Sequence, residues 1–133
     1  MSLIIIIGLC GSGKSYYAKQ LKDCIIYDDF INAFYNGNLI FSLKNKENVC
    51  VIDPRLCKKD IFDKYITIFQ QYTDNISLIL FENDPETCLN NIKGRNDGRR
   101  GIIETNNYLT LQYNIDNYTT YNRRVLPCYS LNI

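Results

Sequence analysis

The chain has 133 residues, 46% of them hydrophobic and 22% charged, with a formal net charge of +1. This size supports one continuous core and not two, and the near-neutral balance excludes a global pull toward nucleic acid or membrane, so an anionic partner must be held by a local cluster. With no histidine anywhere, a histidine general base, Ser-His and Cys-His nucleophilic pairs and histidine metal ligands are all excluded, and acid–base work falls to carboxylates.

The chain opens with five aliphatic residues, Leu3 to Ile7. They read as a strand buried on both faces, too short for a membrane span or a signal-peptide core. They feed into Gly8-Leu9-Cys10-Gly11-Ser12-Gly13-Lys14-Ser15, the phosphate-binding loop pattern of glycine, four residues, then Gly-Lys-Ser. A loop that wraps phosphates must turn successive backbone N–H groups inward; Gly8, Gly11 and Gly13 are expected to give it that freedom and Ser12 completes its crown. Lys14 adds a point charge near the β and γ oxygens, and Ser15 offers a hydroxyl ligand to Mg²⁺. Tyr17, Ala18 and Leu21 make an apolar stripe that predicts a helix over 14–22, whose first N–H groups would face the phosphates.

Cys24 to Tyr27 is a short strand ending in Asp28-Asp29; Phe30, Ile31 and Phe34 continue at helical spacing until Asn36-Gly37-Asn38 breaks the pattern. Val49 to Ile52 is a further strand, closed by Asp53 and Pro54. Helical spacing returns at Ile61, Tyr65, Ile68 or Phe69, and Tyr72. Ile76 to Phe81 is a fourth strand, and Asp84-Pro85-Glu86 starts a helix with Cys88, Leu89 and Ile92 inward. Lys93 to Gly101, rich in glycine and arginine, reads as a basic loop. A helix with Tyr108, Leu111, Ile115 and Tyr118 follows, and Val125 to Ile133 can close the sheet as a fifth strand. Strands alternating with helices predict a three-layer α/β domain: a five-stranded parallel sheet flanked by helices, with the site at the carboxyl ends of the strands.

That edge collects the phosphate loop, Asp28 and Asp53. Asp28 is the candidate base for a proton from an acceptor hydroxyl, with Asp29 as the helix cap; the reverse assignment is the alternative. Asp53 either orients Mg²⁺-bound water or serves the turn before Pro54. Arg55 is either an acceptor-phosphate ligand or a solvated surface residue. Arg95, Arg99 and Arg100 can fold over the γ-phosphate as it moves. Phe30, Phe34 and Tyr35 read as core, with base stacking as the minor option. The six cysteines form no Cys-x-x-Cys pair and read as buried thiols of a reducing, cytoplasmic compartment. Heavy use of Asn, Ile, Lys and Tyr points to an A/T-rich genome, viral or microbial.

The phosphate loop, the Asp-Asp pair after the second strand, Asp53 after the third, and the run from Phe81 through an Asp-Pro helix to Arg95 resemble the small P-loop kinases. The nearest likeness is to the 5′-polynucleotide kinase domain of the phage type, over nearly the whole chain. The resemblance implies a kinase-group P-loop NTPase fold, Asp28 as general base and Arg95 as the lid residue on the donor phosphate. Cys10 stands where that family usually has proline, Tyr16 where it has threonine, and Ile31 where it has an acceptor-gripping arginine. The region between Asp29 and Val49 is also short. The expected activity is ATP- and Mg²⁺-dependent transfer of a γ-phosphate to a hydroxyl, foremost a polynucleotide 5′-OH. The alternatives are a small-molecule kinase of the same fold, acting on a nucleoside, sugar or other metabolite alcohol, and a reduced, non-catalytic nucleotide-binding module.

Overall fold

The computed structural model describes residues 1–95, 101–119 and 121–130. In chain order these form β1 (Leu3–Ile7), α1 (Lys14–Ala18), β2 (Ile25–Asp28), α2 (Phe30–Tyr35), α3 (Asn38–Lys44), β3 (Val49–Ile52), α4 (Lys59–Phe69), β4 (Ile76–Phe81), α5 (Pro85–Gly94), α6 (Ile102–Gln112) and β5 (Asn122–Leu126). The strands make one parallel sheet in the order β2-β3-β1-β4-β5. The expected five-stranded parallel sheet is therefore present.

The strand sequences explain this order. A strand in the middle of a parallel sheet is covered on both faces and so must be apolar throughout. β1 is entirely aliphatic and takes the centre, with β3 and β4, buried at nearly every position, on its two sides. Along β1 the side chains alternate: Leu3, Ile5 and Ile7 join Val51, Leu78 and Leu80 in a large core closed by α2 to α6. Ile4 and Ile6 face the other way, toward Cys50, Ile52, Ile79 and Phe81 under Ala18 and Leu21. That second face is covered mainly by α1 and the turn after it. β2, at the sheet's edge, leaves Ile25 and Ile26 exposed.

Several elements differ from the sequence expectations for local reasons. α1 stops at Ala18, and Gln20 and Leu21 continue only as turns onto Tyr17 and Ala18. Asn36-Gly37-Asn38 breaks one helix only to start another: Gly37, at φ 81°, caps α3, which the sequence reading left unassigned. α6 ends at Gln112 with Ile102, Asn106 and Leu109 inward, while Leu111 is 83% exposed. The apparent helical spacing of Ile115 and Tyr118 comes from a separate 3-10 turn, Ile115–Asn117, after the extended residue Tyr113. β5 runs from Asn122 to Leu126, earlier than expected, and pairs along β4 up to Phe81 opposite Leu126. Pro127 follows it and brings no N–H to extend the ladder. The last three residues of the strand expected over 125–133 lie outside the described residues, as do 96–100 of the basic segment.

Candidate functional site

Because all strands are parallel, their carboxyl ends share one edge, and the phosphate loop leaves that edge from the centre of the sheet. Gly11 and Gly13 adopt φ of 84° and 105°, conformations closed to most side chains. A Cβ on Gly11 would also stand 2.7 Å from the Cys88 carbonyl oxygen, and one on Gly13 2.7 Å from Cβ of Tyr129. Gly8 serves differently from the expectation. Its φ is not positive, but a Cβ there would meet Ser12 Oγ at 2.6 Å, so glycine is required for close approach. Ser12 itself is fully buried.

Within the loop, the Cys10 N–H donates to Asn106 Oδ1 at 2.9 Å and the Ser12 N–H to the Leu9 carbonyl at 3.2 Å. Among the described residues, the N–H groups of Gly11, Gly13, Lys14 and Ser15 make no hydrogen bond, and these four residues line a cavity of about 310 Å³. Unpaired donors beside a common space are the makings of an anion cradle. α1 is too short for a developed macrodipole, so the cradle works through these individual N–H groups. Lys14 is buried, and its Nζ donates 2.6 Å to the Leu9 carbonyl. Burial pulls its pKa below the ordinary lysine value, with nearby thiols and Asp28 offsetting part of the shift.

The carboxylates divide their work. Asp28, exposed at the end of β2, accepts a hydrogen bond of 2.7 Å from Ser15 Oγ and lines the cavity. Asp53 is fully buried, and both its oxygens are engaged by Arg55: Oδ1 by the backbone N–H at 2.9 Å and Nε at 2.8 Å, Oδ2 by Nη2 at 2.7 Å. The same Nη2 donates to Asp29 Oδ1 at 2.6 Å. The structure thus brings Asp28, and not Asp53, to Ser15. It also makes Arg55 a bridge between Asp53 and Asp29 and not a free surface side chain. Asp29 stands at the cap position of α2 with φ 55°, but its carboxylate bonds Arg55 and the Asn32 side chain instead of the helix N–H groups.

Arg95, at the end of α5, lines the same cavity as Lys14, Ser15 and Asp28. Arg99 and Arg100 lie outside the described residues. A divalent ion fits this donor set as Mg²⁺, which binds through one or two protein oxygens plus water and phosphate. Ser15 Oγ would supply one such oxygen, with the Asp28 carboxylate hydrogen-bonded beside it, whereas both Asp53 oxygens are engaged by Arg55. Among the described residues, no group of three or more Cys, Asp or Glu gathers into a cage of protein ligands.

Three residues escaped the sequence reading. Asn91 and Asn106, buried on the inner faces of α5 and α6, bond the backbone of the phosphate loop. Their signal was present, since each is a polar side chain at helical spacing among apolar ones, Asn91 beside Cys88 and Ile92, Asn106 between Ile102 and Leu109. Tyr129 gave no signal. It follows β5, donates its N–H to the Ser12 carbonyl at 3.0 Å and lays its ring 4.8 Å from that of Tyr16 at the mouth of the cavity. Of the aromatic residues near Asp28, Phe30 is wholly buried against Tyr65 and Phe69, Phe34 packs on Tyr65, and Tyr35 is 71% exposed.

A central strand running into a glycine-and-lysine cradle, in a parallel sheet of order 2-3-1-4-5, defines the class as an α/β fold of P-loop NTPase topology. No protein-family model matches the chain. It is 44% identical over 129 residues to an uncharacterized protein of Acanthamoeba polyphaga mimivirus, an alignment covering 92% of this chain and 94% of that protein. The chain belongs to the same family as that giant-virus protein. Among the described residues, no helix is long and apolar enough to cross a membrane.

Proposed function

We propose that this protein is an ATP- and Mg²⁺-dependent phosphotransferase that moves the γ-phosphate to a hydroxyl acceptor, foremost the 5′-OH of a polynucleotide. The observation that carries the reading is the cavity lined by Gly11, Gly13, Lys14, Ser15, Asp28 and Arg95, in which the N–H groups of the first four make no hydrogen bond among the described residues. Phosphoryl transfer asks mainly for positioning and charge neutralisation, and these groups supply both. In the transfer, Asp28 takes the proton of the acceptor hydroxyl while that oxygen bonds to the γ-phosphorus. The bond from the γ-phosphorus to the β,γ-bridging oxygen breaks, and ADP leaves with that electron pair. Lys14 and Arg95 stabilise the charge on the moving group. Mg²⁺ would be held at Ser15 and would supply further neutralisation of the phosphate oxygens.

Tyr35, exposed on the helix that starts two residues after Asp28, is the aromatic residue on which a nucleic-acid acceptor base would stack. The free thiols fit a reducing, intracellular setting: Cys88 and Cys128, 3.8 Å apart, share a thiol hydrogen bond and no disulfide.

The test is transfer from labelled ATP to a panel of 5′-OH oligonucleotides, nucleosides and sugars, with binding measured in parallel. Lys14→Ala is expected to lower transfer by about 10²-fold or more. Asp28→Asn should abolish transfer and leave ATP binding intact. If Asp28→Asn loses ATP–Mg²⁺ binding as well, Asp28 serves the metal through Ser15 and is not the base. Labelling of metabolites alone would assign a small-molecule kinase, and tight ATP binding with no labelled product would assign a binding module.

A further inference from the structure

The crown of the phosphate loop is held from outside by two buried asparagines. Asn106, on α6, clamps Cys10 like a paired peptide: its Oδ1 accepts from the Cys10 N–H at 2.9 Å and its Nδ2 donates to the Cys10 carbonyl at 2.7 Å. Asn91, on α5, donates through Nδ2 to the Gly11 carbonyl at 2.8 Å and to the Tyr129 carbonyl. The two side chains are only 4% and 6% exposed. Burying an amide is costly unless its bonds are made, so both are fixed by the groups they hold. They come from the two helices that bracket the basic segment, α5 ending at Gly94 beside Arg95 and α6 beginning at Ile102.

We propose that Asn91 and Asn106 are positioning residues that fix the phosphate loop in its cradle form and tie it to the helices on either side of the basic segment. Three consequences follow from the bonding. Asn106 takes up the Cys10 N–H, so that this donor is withdrawn and the cradle keeps the N–H groups of Gly11, Gly13, Lys14 and Ser15 for the anion. The Cys10 and Gly11 carbonyls, whose negative ends would repel a phosphate, are bonded by the asparagines and so held away from the cradle. Finally, α5 and α6 are bonded directly to loop backbone through these side chains, so a displacement of either helix would act on the cradle. This assignment rests on the phosphate-site reading for its functional meaning and on the bonds themselves for its structural part.

The test compares Asn106→Ala, Asn106→Leu and Asn91→Ala with Asn83→Ala. Asn83 is a control of the same chemistry elsewhere: its Nδ2 donates to the Thr110 and Tyr113 carbonyls, each at 3.0 Å, away from the loop. Thermal unfolding checks that each variant is folded, and Asn106→Leu keeps the side-chain volume should the alanine variant fail. Affinity is read with inorganic tripolyphosphate and with ATP, both with Mg²⁺. The expected result is a loss of about tenfold or more for the Asn91 and Asn106 variants with either probe, and less than about twofold for Asn83→Ala. Unchanged affinity in folded Asn91 and Asn106 variants, or an equal loss in Asn83→Ala, would overturn the proposal.

A second readout, amide hydrogen exchange over Cys10–Gly13 without ligand, separates this proposal from the functional one. If the wild-type protein binds neither probe, the phosphate-site reading falls. The positioning claim then stands only if exchange in that segment quickens in Asn106→Ala, and falls if it does not.

Discussion

Lys14 faces two opposed demands at the scale of a single side chain. Its ammonium must be charged to meet a phosphate, yet it is buried against the loop that holds it, and burial lowers its pKa. The sign of the consequence differs for stability and for binding. In the window between the depressed pKa and the ordinary lysine value, the folded state binds fewer protons than the unfolded state, so this group makes the unliganded protein more stable as pH rises. Affinity for a polyphosphate falls across the same window, because the bound anion needs the charged form. Calorimetric titration with Mg²⁺-tripolyphosphate from neutral pH upward should show affinity declining at a pH below that at which free lysine loses its proton. Lys14→Arg should remove the decline. Arg55 makes a second case. Removing its side chain leaves the fully buried Asp53 carboxylate, among the described residues, with the backbone N–H of residue 55 in place of the guanidinium. Arg55→Ala is expected to cost about 2–3 kcal/mol in urea unfolding, and Asp53→Asn with Arg55 present to cost less.

At the scale of elements, the site depends on how each helix begins and ends. α5 starts with Asp84 accepting from the Thr87 N–H at 3.2 Å and with Pro85 in its first turn. That cap fixes the entry of the helix carrying Asn91 and leading to Arg95. Asp84→Ala should lower stability by about 1 kcal/mol, and the midpoint of chemical denaturation will show it. This cap was legible because Asp-Pro-Glu is a local signal, read within four residues. α3 was not. Its capping glycine follows a turn-forming asparagine, and the same dipeptide that ends one helix begins the next. The extent of α6 misled for a related reason: Ile115 and Tyr118 continue a helical rhythm in sequence, while the backbone turns extended at Tyr113, whose phenol donates to the Ile7 and Phe81 carbonyls at the ends of β1 and β4. That anchor forms between residues far apart in the chain and leaves no periodic trace.

At the scale of the whole molecule, the sheet order decides which parts carry stability. β1 is the centre, contacted on both edges and both faces, and β2 is an outer strand with half-open side chains. Ile5, 1% exposed, and Ile25, 40% exposed, are chemically identical. Ile5→Ala should cost about 2–5 kcal/mol and Ile25→Ala under about 1 kcal/mol, measured by equilibrium unfolding. The sequence by itself determined the aliphatic strands, the parallel α/β architecture, the glycine-lysine loop at the first strand's end and the Asp-Pro start of α5, because each is written in neighbouring residues and in the period of the apolar pattern. Only the tertiary structure decided that Asp28 and not Asp53 meets Ser15, that Arg55 is held between two aspartates, and that Asn91, Asn106 and Tyr129 brace the loop. Those choices depend on contacts across up to 117 residues of chain, from Ser12 to Tyr129. The packing of strands and helices sets such distances, and no local pattern of side chains encodes them.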